Sequence, residues 1–341
     1  MKKLICLLLA ISVLCFAGCG KKTEETDTKT KNDKEVVSEE KKETKNEFVK
    51  LMETDKRPIA VMIDNDGPSS RPQIGLEKAF VLYEAIVEGG ASRIMAIFKD
   101  ASDIEKVGPV RSSRHYFLDY ALEHDAIYCH AGWSPKAASD IKSLGVNNIN
   151  GVTSDGSVFY RDSTYDNTWH NLYTTLNKTY DYAKDKKDYR TTTDTKVFSY
   201  SEKDFDIKDG QDATEINLPY STMYKVNYKY DAENKIYTRY IGQSEHMSQT
   251  GKALTAKNII VCKVKNYDLN DGENKGRQNL DTVGSGSGYY ITNGKMTPIT
   301  WTKNSRTGKT IYENADGKEI ALNPGNTYVQ IMPLTSEITI K

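Results

Sequence analysis

Apolar positions along the chain change texture three times. Leu4 to Ala17 is an unbroken, mostly apolar run of 14 residues behind Lys2 and Lys3. A membrane-spanning helix needs about 20, so the run predicts a signal peptide over 1–18. Gly20 to Glu47 then holds 17 charged residues in 28, with Val36 and Val37 its only aliphatic side chains. Such a segment cannot bury enough apolar surface to offset its ordering entropy, which predicts a disordered tether over 19–47.

From 48 to 187, short apolar runs alternate with amphipathic ones. Pro58–Ile63, Arg93–Phe98 and Ala126–Ala131 read as buried strands. Phe80–Val87 fits either strand or helix. Ser112–His124 carries apolar residues at 116, 117, 120 and 121, a helical spacing. Ser134-Pro135 reads as a helix cap followed by Pro at the first turn, with Gly145 ending that helix. Asn171–Lys184 reads as a further helix.

After a polar linker at 188–194 the pattern turns to short β-prone runs. They include Met223–Tyr230, Ile236–Ile241, Asn258–Tyr267, Thr310–Glu313 and Thr327–Met332, with turn signals such as Asn293-Gly294 between them. The spaced glycines Gly284, Gly286 and Gly288 read as a mobile loop, because no helix follows them to make a dinucleotide site. The expected architecture is an α/β N-terminal domain (48–187) joined to a mostly antiparallel all-β C-terminal domain (195–341).

The charge sum is 47 basic against 47 acidic side chains, without the basic surplus of a nucleic-acid binder. Phe16-Ala17-Gly18-Cys19 resembles a bacterial lipobox, with Phe16 where Leu is usual. It points to cleavage before Cys19, lipid attachment at that thiol, and display on the extracytoplasmic face of a cell membrane. Cys129 and Cys262 sit in apolar runs and read as free, buried thiols. No zinc spacing and no cofactor motif is present, so no metal and no cofactor are expected.

Gly108-Pro109-Val110-Arg111-Ser112-Ser113-Arg114 is the segment richest in chemistry. Two Arg at a helix N-terminus oppose the helix dipole unless something negative sits between them. That group is either a ligand or the chain's own Glu84 and Glu88. Asp64 ends the first strand, His130 sits at a strand end where open α/β sheets place ligands, and His170 follows Arg161. His130, His170, Glu84 and Glu88 are therefore the candidate acid–base groups.

The same segments carry a family resemblance. Arg57–Asn65, Arg71–Leu76, Tyr83–Gly90, Arg93, Gly108–Arg114, His130–Gly132, Ser134-Pro135, Arg161-Asp162 and His170–Tyr173 resemble the YerB-like lipoproteins of Gram-positive bacteria. Trp301–Lys303, Asp316-Gly317 and Leu322–Thr327 resemble that family's closing strands. Trp133 stands where the resemblance implies a second Gly. The family has two adjoining domains and no assigned reaction. The resemblance implies an envelope lipoprotein and marks the polar residues as a family signature. The expected ligand-binding set is Asp64, Asn65, Arg71, Glu84, Glu88, Arg93, Arg111, Ser112, Arg114, His130, Ser134, Arg161, His170 and Asn171.

Two functional readings follow. In one, these groups line a cleft for an anionic ligand: a wall polymer, a lipid phosphate or a peptidoglycan fragment. In the other, the Arg–Glu pairs are internal braces, and the β-rich domain docks an envelope protein or a glycan.

Overall fold

In the computed structural model, Ile59–Asn65 (β1) is buried at all seven positions. A strand covered on both faces must be built this way. It pairs antiparallel with Ser92–Phe98 (β3) and parallel with Ile127–His130 (β4). The ambiguous run at 80–87 is a strand, Val81–Ile86 (β2), antiparallel to β3. Asn148–Asn150 (β5) adds a parallel edge beyond β4. The structure describes residues 45–153 and 156–341. The expected signal peptide, Cys19 and all of the tether before Lys45 lie outside the described residues.

The second half of the chain extends the same sheet. Asn258–Val264 (β11), Gly284–Thr292 (β12), Lys295–Lys303 (β13) and Thr310–Glu313 (β14) form antiparallel neighbours. Thr327–Pro333 (β15) is buried throughout and runs parallel to both β11 and β2. It thus fills the place between the two halves. The spatial order is β14-β13-β12-β11-β15-β2-β3-β1-β4-β5, with Gln211-Asp212 pairing β13 as an eleventh strand.

A second sheet is antiparallel throughout. It consists of Glu215–Pro219 (β8), Lys225–Asp231 (β9), Ile236–Ile241 (β10) and Thr339-Ile340 (β16), with two short accessory pieces. Val226 and Tyr228 alternate inward on β9, with Tyr224 just before it, and the Tyr228 ring lies 5.9 Å edge-on to Tyr328 of β15.

Helices are few. Asn46 caps Glu47–Glu53 (α1), so ordered structure begins inside the last residues assigned to the tether. His115–Glu123 (α2) starts three residues later than the pattern suggests, and Arg114 is its cap residue. Ser134 accepts the Ala137 amide at 3.3 Å at the head of Pro135–Ser143 (α3).

Two expectations are corrected. Asn171 does not begin a helix. Leu172–Thr174 (β7) pairs with Phe159–Arg161 (β6), and its backbone also bonds Val107 and Val110. Neighbours on both sides claim these amides and carbonyls, so the helix is delayed to Leu176–Asp185 (α4). The Gly284–Gly288 stretch is not a loop but the start of β12. A Cβ on Gly286 would lie 2.6 Å from the Trp301 indole nitrogen, and one on Gly288 would lie 2.1 Å from the Val261 carbonyl oxygen. Gly286 and Gly288 are there for close packing, not mobility.

Cys129 and Cys262 are buried and free, as expected. Among the described residues, no helix is long and apolar enough to cross a membrane.

Candidate functional site

Successive strand residues point to opposite faces of a sheet. Asp64 and Asn65, the last two residues of β1, therefore open two separate polar clusters, one on each face. Their register partners on β3 are Arg93 and Ser92.

On the face of Asn65 the groups are locked together. Glu84 and Arg239 form an ion pair at 2.8 Å with no exposure on either side chain. Ser92 and Tyr224 donate to Glu84 at 2.6 and 2.7 Å. Arg71 and Gln73 both donate to the Asn65 side-chain oxygen at 3.0 Å, and His246 meets Gln73 at 2.6 Å. This cluster sits between the two sheets. Asn65, Arg71 and Glu84, three of the expected site residues, are consumed in joining them. Arg239 makes the pair with Glu84 that the sequence reading gave to Arg111 and Arg114.

On the face of Asp64 the arrangement is different. The Asp64 carboxylate is wholly buried, yet Arg111 Nε stands 2.8 Å from it as an ion pair without hydrogen-bond geometry, and His170 Nδ1 bonds it at 2.7 Å. Burial alone would push its carboxyl up, but the His170 bond, with Arg111 and Arg93, more than offsets this and holds it below the ordinary range. The hydrogen bond that His170 donates to Asp64 in turn raises His170 above its ordinary value, against the effect of burial. Arg93 lies close by and donates to the Ser112 carbonyl at 2.9 Å, while its Nε has no partner. Burial, with Arg114 near, lowers Arg93 to about 10. A single carboxylate thus faces two guanidinium groups and an imidazole.

Trp169 covers this cluster from outside. Its ring lies 4.1 Å from the Arg111 guanidinium carbon and 5.0 Å from the His170 ring, and the residue is 61% exposed. Among the described residues His170 Nε2 has no protein partner. Arg161 and Asn171 flank the site, joined to each other at 2.6 Å.

The remaining expected residues are occupied elsewhere. Arg114 donates to Glu88 at 2.7 Å, and Arg277 stands 3.7 Å from the same carboxylate. Ser112 Oγ donates to the Ala131 carbonyl at 3.0 Å. Ser134 caps α3. His130 is fully buried, with one ring nitrogen at the Gly132 carbonyl and the other at Asn148, and burial lowers its pKa. Neither ring nitrogen is open to a substrate. Among the described residues no group of His, Cys, Asp and Glu is placed to hold a metal ion.

Sequence reasoning missed Trp169 and Arg239. Trp169 precedes His170 directly, and an aromatic residue beside a polar motif was the available signal. Arg239 sits in an ordinary β-run 155 positions beyond Glu84 (239 less 84), and no local pattern marks it.

One mixed sheet is shared by both halves of the chain, with an Asp64-centred polar cluster on one face, and the sequence matches a family of unknown function. The chain belongs to that family: residues 44–190 match the model "Protein of unknown function (DUF3048) N-terminal domain", and 216–329 match its C-terminal companion. It is 33% identical over 288 residues to "Putative lipoprotein YerB" of Bacillus subtilis, which covers 82% of each chain. The crystal structure of YerB protein from Bacillus subtilis matches with a TM-score of 0.73 at 30% identity, covering 85% of this chain and 95% of that one.

Proposed function

We propose that this is a membrane-anchored lipoprotein of the cell envelope that recognises an anionic ligand at the Asp64 cluster. Cys19 would carry the lipid and the charged tether would hold the body off the extracytoplasmic face of the membrane. The lipobox-like sequence and the relative's name support the anchor. One observation carries the ligand reading. Arg93 and Arg111, gathered with His170 on Asp64 beneath an exposed indole, each keep a buried Nε that meets no hydrogen-bond acceptor among the described residues. A buried charged donor left unmet favours an incoming anion.

The test is NMR titration of the full-length chain in detergent with inorganic phosphate. Saturable shifts at His170 and Trp169 that Arg111→Gln abolishes, with the fold intact by circular dichroism, are the expected result. No response at either residue, with Arg111→Gln lowering only the unfolding midpoint, overturns the reading in favour of an internal brace.

A second reading rests on another feature. Asn217, Asn227, Lys229 and Tyr240 line a groove of about 480 Å³ on the outer face of the second sheet. The Arg114–Glu88 and Arg239–Glu84 pairs are satisfied within the chain. In that reading the groove docks an envelope protein or a glycan, and the charged clusters only hold the body together. His170, with Asp64 behind it and Nε2 without a protein partner among the described residues, is the best-placed general base.

A further inference from the structure

Trp169 is 61% exposed, and its ring lies over the Arg111 guanidinium and beside the His170 ring.

Trp133, 42% exposed, belongs to another place: its ring lies 5.7 Å from the buried His130 ring.

The Trp169 ring is held before any ligand arrives. Arg111 lies under one of its faces, and Asp64 fixes Arg111. A ring already in place loses little freedom on binding. Its other face is apolar and open, which suits the C–H face of a pyranose. Beneath it lie His170, Arg111 and Arg93, the buried Nε of each arginine meeting no acceptor among the described residues.

We propose that Trp169 is the stacking platform for a sugar ring whose negative substituent is held by Arg111 and His170, so that the ligand is an acidic glycan. This rests on the anion reading above and names its ligand class.

The experiment uses the full-length chain in detergent, with binding followed by tryptophan fluorescence and calorimetry. The probes are the N-acetylglucosamine–N-acetylmuramic acid disaccharide, N-acetylglucosamine 1-phosphate, neutral chitobiose, inorganic phosphate, and phosphatidylglycerol vesicles. The acidic disaccharide or the sugar phosphate should bind at least about ten-fold more tightly than chitobiose or phosphate. Whichever binds identifies the source of the charge. Trp169→Ala should lose about ten-fold or more, and Trp169→Phe should retain most of the affinity. If phosphate binds as well as the sugar phosphate and Trp169→Ala changes nothing, the glycan proposal fails while the anion site stands. If vesicles bind and no sugar does, the proposal is overturned in favour of a membrane contact. If the folded chain binds none of the probes, both readings fall.

Discussion

Glu84 and Arg239 meet at 2.8 Å with neither side chain exposed to solvent. They come from the two segments that the family models match separately. The pair is thus an internal clasp between halves of one body. Glu84 also accepts from Ser92 and Tyr224, and Arg239 donates to Tyr228 and to His246 Nδ1 at 2.9 Å each. Arg239→Met should cost about 3–5 kcal/mol, because it leaves a buried carboxylate uncompensated. Adding Glu84→Gln to that variant should return part of the loss. Urea denaturation of the three proteins measures both effects. A loss below about 1 kcal/mol for Arg239→Met would show that Glu84 takes up a proton, or finds water, without difficulty.

The same clasp predicts the behaviour of the separated halves. β15, from the end of the chain, lies between β2 and β11 and is hydrogen-bonded to both. A chain ending at Asp194 would expose the whole edge of β2, an unpaired and apolar edge that invites aggregation. Residues 45–194 expressed alone should lack the dispersed amide spectrum of a folded protein, and 195–341 likewise. Co-expression of the two should restore solubility. A well-dispersed spectrum from either piece alone would establish that the halves are independent.

β12 offers a test of packing. Gly288 sits opposite Cys262, and the Val261 carbonyl oxygen leaves no room for a side chain there. Gly288→Ala must push the β11–β12 ladder apart and should lower stability by about 1–3 kcal/mol. Ser287→Ala, its exposed neighbour, should stay within about 0.5 kcal/mol. Equal unfolding midpoints for the two variants would mean that the strand relaxes freely.

These glycines also show where sequence reading stops. Periodicity found β1, β3, β4 and α3, because in each the buried face is written in the local run of side chains. The Ser134 cap and the buried thiols were legible for the same reason. Gly284–Gly288 was read as a loop because its reason for being glycine is Trp301 and Val261, which lie far away in sequence. Asn171–Thr174 scored as a helix for want of any local mark of β6 and the 107–110 stretch that claim its backbone. The site divides in the same way. Polar residues at strand ends were recognisable as a group, but which of them meet is set by the side of the sheet each one faces. That placed Asp64 with Arg111 and His170, and sent its neighbour Asn65 to the opposite cluster with Glu84 and Arg71.

The Asp64–His170 contact fixes a pH dependence whose sign can be worked out. His170 titrates above its ordinary value of 6.5, chiefly because Asp64 accepts its hydrogen bond. The charged imidazole is therefore favoured by folding. Its contribution is fully present below about pH 6.5 and is lost as pH rises through the raised folded value. Asp64 is depressed below 3.8, so its own contribution persists until strongly acidic pH. The stability difference between the native chain and His170→Gln should accordingly be largest near pH 5 to 6 and shrink toward pH 9. By NMR, His170 should titrate above 6.5 in the native chain. In Asp64→Asn it should fall, since the group that raises it most has gone and Arg111 remains to repel the proton. Anion affinity should follow the same curve, weakening as His170 loses its charge. A His170 pKa at or below 6.5 in the native chain would remove the imidazole from the anion site and leave Arg93 and Arg111 to hold any anion alone.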